Sequence, residues 1–420
     1  MKWALYNLLF AAVYPFLLPS FLFRMFRRCG YAARMNDRFA IYPEGLLDSF
    51  DDSNRPIWVH AVSVGEVQVA LQFIRQWRAV EPAVKFCFST TSSTGWKTAS
   101  SGLEEQDTLI YNPLDFPNFV KSALLRIKPR AIVLVESELW PNFIRYASKN
   151  KIPLFLVNAR VSDRSAPRYK AGRFFFKDVL GLFTRIYAQS EVDAQRLRDA
   201  MRPEDAFKVE VTGSFKFDSA RRNESKELEM RQWVGDSEVL LGASTWPGED
   251  EVMLRIYSRM KKKMRLVIAP RHFEKADQIE RNIINAGFTC RRRSRGDKEG
   301  EVYLADTTGE LMGLYAVADI VFVGKSLCAK GGQNMIEPCL CGKSVIVGPN
   351  TSNFRPVMSD LKASEAIVEA QDEEELCQKI LAIAEDTALR TELGERAKKA
   401  VESRRGVVPS SVDSIRRIIQ

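Results

Sequence analysis

Short runs of apolar and β-branched residues alternate with longer segments of helical periodicity along most of the chain. The runs predict β-strands, and the segments between them repeat apolar residues every three or four positions. Strands that alternate with helices are typical of βαβ units and therefore of parallel sheets. The predicted strands are 57–62, 84–89, 109–111, 131–135, 153–158, 185–188, 208–212, 239–243, 265–269, 302–305, 320–323, 344–347 and 366–369.

The segment 218–238 interrupts this alternation, because it is rich in charge and poor in strand-forming residues. It divides the strands into two sets of similar size, and 420 residues suffice for two ordinary domains. We therefore predict an α/β protein with two Rossmann-like domains that face a cleft. The first domain covers residues 26–222 and the second residues 223–420, and the last helix could cross back to the first domain.

The N-terminal stretch 3–23 is almost wholly apolar and is followed at once by a cluster of arginines. About 20 such residues suffice to cross a bilayer. The arginines would then keep the body of the protein in the cytoplasm. Pro15 and Pro19 would bend the helix, so an anchor that lies in the membrane surface is the alternative. A buried helix of a soluble protein is a third interpretation. We predict a membrane anchor over residues 1–25.

The charge balance favours a partner that carries phosphate. Formal net charge is +9, which suits an anionic membrane or a nucleic acid. No basic stripe interleaved with aromatic residues is present, which argues against nucleic acid. The seven cysteines form no C-x-x-C pair and indicate reduced thiols, and two histidines exclude a His-rich metal site. The tract 291–295 is interpreted as a solvated basic loop that could touch lipid headgroups.

Glu66 is the first candidate for chemistry. The strand 57–62 breaks at Ser63 and Gly65, and a helical pattern with Glu66 in its first turn follows. In open α/β sheets ligands bind at the carboxyl ends of the strands, which is where this carboxylate lies. The alternative is a structural carboxylate that interacts favourably with the helix dipole.

Other charged residues of the first half also follow strands. Glu136 and Glu138 come directly after the strand 131–135, and Lys216 follows the strand 208–212. A lysine there could neutralise a carboxylate or a leaving phosphate, or it could be an ordinary surface lysine.

In the second half, three stretches could bind an anion. Ser244 and Thr245 lead from a strand into a helix, as an anion site or a helix N-cap would. Pro270 and Arg271 end another strand, where the guanidinium could bind phosphate or form a surface salt bridge.

The third stretch contains the glycine pair Gly331 and Gly332, which would let the backbone approach a ligand closely. A helix beginning near Asn334 would point its N-terminus at that ligand. Asn334 and Glu337 are one helical turn apart, so both could face the same bound group.

Seven segments together resemble the bacterial 3-deoxy-D-manno-octulosonic acid (Kdo) transferases of lipopolysaccharide synthesis. The resemblance covers essentially the whole chain, and it implies a GT-B fold, CMP-Kdo as donor and the anionic lipid A precursor as acceptor. It also implies an inverting mechanism, no metal or other cofactor, and a place on the cytoplasmic face of the bacterial inner membrane. In chain order the segments are 62–66, 91–95, 136–142, 158–160, 213–218, 270–272 and 331–338.

The resemblance also assigns roles by position. Glu66 corresponds to the general base that deprotonates the acceptor hydroxyl, and Glu136 and Lys216 correspond to groups that stabilise the transition state. The residues that correspond to the CMP site include a turn that otherwise reads as an ordinary polar turn. They are Pro270, Arg271, Thr308, Gly309, Glu310, Asn334, Met335, Ile336 and Glu337.

The chain departs from the family pattern near the expected donor site. Trp246 and Gln333 stand where histidine is common, Lys325 stands where glycine is usual, and Cys339 replaces alanine. The loop at 214–215 is also a variant. One alternative interpretation is another GT-B enzyme, such as a sugar-nucleotide epimerase. The other is a non-catalytic, membrane-tethered binder of anionic lipid or nucleic acid.

Overall fold

The computed structural model describes residues 2–27, 32–219, 223–262 and 264–420. Its contacts divide the chain into two compact units. Unit 1 contains Met1–Phe215 and Gly406–Gln420, and unit 2 contains Lys216–Arg405. The boundary between the units thus lies after Phe215, a few residues before residue 222, where the sequence analysis ended the first domain.

Unit 1 is built on a seven-stranded sheet with the strand order β3-β2-β1-β4-β5-β6-β7. Every pairing in it is parallel. Alternate residues of a central strand enter the core on opposite faces, since Ile57 and Val59 belong to one apolar cluster and Trp58 to another. Its strands are β1 Ile57–His60, β2 Phe86–Thr90, β3 Thr108–Tyr111, β4 Ala131–Val135, β5 Leu154–Ala159, β6 Arg185–Ala188 and β7 Val209–Val211.

The helices of unit 1 connect these strands and cover both faces of the sheet. They are α1 Lys2–Arg27, α2 Val64–Val80, α3 Ser93–Ser100, α4 Pro117–Ile127, α5 Pro141–Lys149, α6 Ala166–Ala171, α7 Arg173–Leu180 and α8 Glu191–Ala200.

Unit 2 contains a second parallel sheet with the order β10-β11-β9-β8-β12-β13-β14. Its strands are β8 Val239–Thr245, β9 Arg265–Pro270, β10 Cys290–Arg292, β11 Val302–Leu304, β12 Ile320–Val323, β13 Ser344–Val347 and β14 Val368–Glu369. Its helices are α9 Lys216–Ser219, α10 Glu224–Val234, α11 Glu249–Arg259, α12 Ala276–Asn285, α13 Leu311–Val317, α14 Ile336–Leu340, α15 Arg355–Ala363, α16 Glu373–Glu385 and α17 Thr387–Glu402.

The last helix, α18 Val407–Ile419, belongs to unit 1, where it packs on α2. Val412 and Ile415 are buried there. The Tyr187 hydroxyl lies 2.8 Å from the Ser414 hydroxyl, and burial raises the pKa of that tyrosine. The chain therefore enters unit 2 at residue 216 and returns after residue 405.

Every predicted strand is present, with ends within two residues of the prediction. The prediction of a loop at 291–295 is wrong, because β10 includes Arg291 and Arg292 and pairs with β11. The pattern gave no signal, since this edge strand lacks apolar alternation. Arg292 is instead held by ion pairs, at 2.5 Å to Asp306 and 3.2 Å to Glu280.

Helix α1 packs one flank against the rest of unit 1. The Tyr6 hydroxyl donates to Asp115 at 2.8 Å, and the Asn142 amide donates to Asn7 at 2.8 Å. Burial raises the pKa of Asp115 to about 7, and the Tyr6 bond opposes that shift. The mildly polar residues of this helix are therefore contacts to the folded unit.

The sequence predicted a membrane anchor over residues 1–25. Within the described ranges, no helix combines the length and the apolarity that a membrane crossing requires. Lys2, at the start of α1, also pairs with Asp178 at 2.8 Å. The opposite flank is apolar and exposed, with Leu8 68% and Phe16 83% accessible.

Candidate active site

Glu66 closes a capping box at the start of α2. Its Oε2 accepts the backbone N–H groups of Val62 at 2.9 Å and Ser63 at 3.2 Å. The Ser63 hydroxyl in turn accepts the Glu66 N–H at 3.3 Å. This is the structural role that a first-turn glutamate can have. Oε1 receives no hydrogen bond from the described residues, and the side chain is half-buried, so one carboxylate oxygen is available to a substrate.

The loop after β2 supports the Glu66 loop from one side. The Ser92 hydroxyl donates to the Val62 carbonyl at 2.7 Å and accepts the Gly95 N–H at 2.9 Å. A Cβ atom on Gly95 would lie 2.6 Å from Thr90 Oγ1 and 2.8 Å from the Val62 carbonyl oxygen, so only glycine fits. The segment 91–95 therefore contributes to this site by fixing the backbone of the loop that precedes Glu66.

Glu136 follows β4, which pairs directly with β1. Its backbone is left-handed, with φ +60°, which costs energy in a non-glycine residue. Its Oε1 accepts the Asn158 amide at 3.4 Å, and its Oε2 lies 3.9 Å from Arg160. Glu66 and Glu136 therefore follow neighbouring strands at the same edge of the sheet, and the sequence had predicted that each of them follows a strand.

Glu138, the second carboxylate of this loop, is held by aromatic neighbours. Its Oε2 accepts the Trp140 indole N–H at 2.9 Å and lies 3.8 Å from His60 Nε2. His60 is fully buried, and its Nδ1 lies 2.9 Å from the Ser89 hydroxyl.

In unit 2, a buried carboxylate that the sequence did not single out organises the carboxyl ends of the strands. Glu249 is the first residue of α11 and is fully buried. Its Oε2 accepts the N–H groups of Trp246 at 2.8 Å and Lys325 at 2.7 Å. Its Oε1 accepts the three N–H groups of residues 326–328 at 3.1, 3.0 and 3.2 Å. One side chain therefore joins the loop after β8 to the loop after β12.

The close approach of these loops explains Gly324. A Cβ atom there would lie 2.6 Å from the Ser244 carbonyl oxygen and 2.7 Å from Glu249 Oε2. The sequence signal for Glu249 was an acidic residue at the first helical position after Pro-Gly. That signal alone is equally typical of a simple dipole interaction.

Ser244 and Thr245 do not cap α11, because its N-cap is Gly248 and makes no side-chain bond. The N-cap interpretation is therefore wrong. Ser244 is left-handed, with φ +52°, where the register between β8 and β9 shifts. Thr245 accepts the Arg271 N–H on its carbonyl at 3.0 Å, and its buried hydroxyl has no hydrogen-bond partner among the residues described.

Arg271 is exposed immediately after Pro270, the last residue of β9. Its guanidinium forms no ion pair or hydrogen bond within the described parts of the chain. The surface salt bridge considered as the alternative is therefore not observed. An arginine without a protein partner at the end of a strand is suited to bind an anion.

The turn Thr308, Gly309 and Glu310 links β11 to α13. Gly309 is left-handed with φ +81°, and it is exposed together with Thr308. Glu310 is buried, and its Oε1 accepts Arg293 Nη2 at 3.1 Å. The basic tract 291–295 therefore holds this turn in place.

Both glycines of the pair have positive φ, and both N–H groups are bonded within unit 2. Gly331 donates to the Asn350 carbonyl at 3.2 Å, and Gly332 donates to the Lys325 carbonyl at 2.9 Å. A Cβ atom on Gly331 would lie 2.6 Å from Asn353. The glycines therefore allow close packing of the chain on itself.

The helix that follows, α14, begins at Ile336, two residues later than predicted. Asn334 Oδ1 accepts the Ile336 N–H at 3.1 Å. Burial raises the pKa of Glu337, and a hydrogen bond from Asn334 opposes that shift. Met335 and Ile336 are fully buried. Asn334 and Glu337 do share one side, and they pair with each other there.

Lys216 is the first residue of unit 2. Its Nζ donates to the Asn353 carbonyl at 3.2 Å and lies 4.4 Å from the centre of the Phe354 ring.

Two departures from the family pattern contact each other. Lys325 Nζ lies 4.6 Å from the centre of the Trp246 ring, a cation–π contact. Trp246 also meets the His272 ring edge-to-face, with ring centres 4.7 Å apart.

We expect Glu249→Gln to destabilise unit 2. The amide lacks the charge that five N–H donors require, and its NH₂ group faces some of them. Charge-assisted hydrogen bonds contribute about 1.5–3 kcal/mol each, so a loss of about 2–4 kcal/mol in the free energy of unfolding is expected. Urea unfolding measures this change. The matched control is Glu373→Gln on the surface of unit 2, which should cost under about 1 kcal/mol. Equal effects of the two variants would contradict the assignment.

The comparisons with known proteins agree with this geometry. Residues 33–219 match the family model described as 3-deoxy-D-manno-octulosonic-acid transferase (kdotransferase). The 3-deoxy-D-manno-octulosonic acid transferase of Bordetella pertussis is 31% identical over 383 residues, covering 86% of each chain. That of Haemophilus influenzae is 28% identical over 396 residues, 92% of this chain and 91% of the other. A bifunctional glycosyltransferase/methyltransferase of Fusobacterium nucleatum is 32% identical over 317 residues, 73% of this chain, which spans 49% of that protein.

Solved structures show the fold. Anabaena Alr3699/HepE in complex with UDP matches with a TM-score of 0.59 and 14% identity, covering 87% of this chain and 99% of that one. UDP-GlcNAc 2-epimerase of Neisseria meningitidis matches with a TM-score of 0.57 and 13% identity, covering 84% of this chain and 100% of that one. The predicted GT-B-like architecture of two parallel sheets is confirmed. Together with the Bordetella relative, the findings show that the chain is a glycosyltransferase that belongs to the 3-deoxy-D-manno-octulosonic acid transferase family.

Proposed function

We propose that the chain transfers Kdo from CMP-Kdo to the lipid A precursor with inversion, using Glu66 as the general base. Family membership supports the sugar and the pathway. The mechanism is inferred from the different hydrogen bonding of the two Glu66 carboxylate oxygens. Oε2 is held by two backbone N–H groups, which fix the side chain, while Oε1 receives no bond from the described residues. A positioned oxygen with spare acceptor capacity is what a general base requires.

The reaction is a single displacement. The acceptor hydroxyl gives its proton to Glu66 as its oxygen bonds to the anomeric carbon of Kdo, and the bond from that carbon to the CMP phosphate oxygen breaks. CMP leaves as a phosphate monoester, and we assign Arg271 to stabilising the negative charge that the phosphate gains. We assign Glu136 and Lys216 to transition-state stabilisation, with the carboxylate suited to positive charge at the anomeric carbon. Because protein cations would stabilise the negative charge of the leaving phosphate, we expect no metal requirement.

We further propose that the protein lies on the cytoplasmic face of the inner membrane through the exposed flank of α1. Five large apolar side chains are exposed there at helical spacing, and they are Leu5, Leu8, Leu9, Val13 and Phe16. Such a flank can bury in the interface of a bilayer without crossing it. The net charge of +9 adds attraction to anionic lipid, and the acceptor resides in the same surface.

The transfer itself is tested with purified protein, Kdo, CTP, a CMP-Kdo synthetase and tetraacyl lipid A precursor. Mass spectrometry should show lipid that has gained whole Kdo units, and NMR of the product should show an inverted anomeric centre. Glu66→Gln should lower the rate by about 10²- to 10⁴-fold. The glutamine oxygen can still accept the two cap bonds, so this variant separates the base from the cap. Transfer at the wild-type rate by Glu66→Gln would contradict the base assignment.

Arg271→Ala should weaken CMP binding by about 10- to 100-fold, because one charge-assisted contact is worth about 1.5–3 kcal/mol. Titration calorimetry with CMP measures this. Arg281→Ala is the control, since this exposed arginine of unit 2 donates a hydrogen bond to Gln278 on its own helix. An unchanged affinity in Arg271→Ala would remove this residue from the donor site.

Replacement of Leu8 and Phe16 by glutamate should abolish flotation with vesicles that contain anionic phospholipid. Each buried apolar side chain contributes about 1.5–3 kcal/mol, so the partition coefficient should fall more than about 100-fold. Leu228→Glu, at an exposed leucine of unit 2, should float like the wild type. Undiminished flotation of the double variant would show that α1 is not the attachment surface.

A further inference from the structure

Lys325 occupies a backbone position that favours glycine. It follows Gly324 at the end of β12 with φ +56°, in the left-handed region that side chains disfavour. Its N–H donates to Glu249 Oε2 at 2.7 Å, and its carbonyl accepts the Gly332 N–H at 2.9 Å. The backbone is thus fixed on both sides, and the strain is not relieved by motion. Stability alone would favour glycine at this position.

The side chain of Lys325 reaches over an aromatic ring instead of a carboxylate. Lys325 is half-buried, and its Nζ lies 4.6 Å from the centre of the Trp246 ring and forms no ion pair with any described residue. Glu249, the carboxylate bonded to its backbone, already accepts five N–H groups. The ring occupies one side of the ammonium group, and the remaining N–H donors point elsewhere. This is a cation positioned without being neutralised.

The guanidinium of a second cation, Arg271, forms no ion pair or hydrogen bond with a described residue, and it follows the strand on the other side of β8. In the sheet order β9-β8-β12, Arg271 follows β9, Trp246 follows β8 and Lys325 follows β12. The edge-to-face contact of Trp246 with His272 fixes the ring between the two strands. Two cations that no described residue neutralises therefore follow the strands on either side of β8, and one of them contacts Trp246. A ligand with a single phosphate would need only one of them.

We propose that Lys325, supported by Trp246, binds the carboxylate of the donor sugar, while Arg271 binds the phosphate. The inference rests on the proposed function and names the group that recognises the sugar acid. In CMP-Kdo the carboxylate is attached to the anomeric carbon, which also carries the phosphate oxygen. The two anionic groups are therefore separated by one carbon, and two cations at the carboxyl edge of the same sheet suit them. Lysine suits this role, because a compact point charge can follow the carboxylate during displacement.

The test separates the two anions by measuring CMP and CMP-Kdo in parallel. The variants are Lys325→Met, which keeps the length of the side chain, and Lys325→Gly, which fits the backbone. Calorimetry should give CMP affinity within about twofold of wild type for both. The KM for CMP-Kdo should rise about tenfold, the loss of one charge-assisted contact. The melting temperature of Lys325→Gly should not fall, which excludes unfolding as the cause.

Controls identify the source of any change. Lys330→Ala removes a nearby exposed lysine and should alter neither ligand. Trp246→Ala should raise the KM for CMP-Kdo in the wild type but not in Lys325→Met, since the two side chains act together.

Two outcomes would overturn the proposal. Equal weakening of CMP and CMP-Kdo would assign Lys325 to the phosphate, and no change in either would remove it from the donor site. If the wild type transfers no Kdo, direct calorimetric binding of freshly made CMP-Kdo and of CMP gives the same comparison. The proposed transfer would then have failed, while the carboxylate subsite would still stand or fall on binding.

Discussion

The buried carboxylate of Glu249 is the interaction on which the carboxyl edge of unit 2 depends. Five backbone N–H groups from two loops converge on its two oxygens. A charge this deeply buried is stable only when it is fully hydrogen-bonded, so the loops and the carboxylate require each other. The loop after β12 is held against the loop after β8, and the Arg271 backbone joins them through Thr245. The positions of Trp246, Lys325 and Arg271 all follow from this arrangement.

Unit 1 uses a related device with a different purpose. Glu66 also lies at the start of a helix and also accepts N–H groups from the loop before it. Glu249 is fully buried and uses both oxygens, whereas Glu66 is half-buried and uses one. The same residue in the same kind of turn is thus wholly structural in one unit, while in the other an oxygen remains for chemistry. Exposure and hydrogen-bond count distinguish the two roles, which helix position alone could not.

The strands of both sheets could be predicted because parallel strands buried on both faces leave continuous apolar runs, such as Ile57 to His60. The edge strand β10 could not be predicted in this way, since its Arg292 is stabilised by ion pairs with Asp306 and Glu280 from elsewhere in the chain. The apolar face of α1 was visible, but its bonds to Asp115 and Asn142 depend on residues over a hundred positions away.

The same division applies to the site. Glu66, Glu136 and Arg271 each follow a strand, so the predicted topology was enough to place them at the carboxyl edges of the sheets. Gly331 and Gly332 stood out in the sequence as a pair, but their N–H partners come from the loops at 325 and 350, which the pattern does not relate to them. Glu249 was missed because its five partners are backbone groups, whose positions leave no trace in residue type. The contact of Lys325 with Trp246 likewise became evident only in three dimensions.

The central claim is that the carboxyl edge of unit 2 is ordered before any donor binds. Amide hydrogen exchange of the ligand-free protein tests it most directly, at the N–H groups of Trp246 and residues 325–328. The structure predicts slow exchange, close to the global unfolding limit, and no further protection when CMP is added. Fast exchange without ligand, followed by strong protection with CMP, would show that the nucleotide organises these loops and that Glu249 does not.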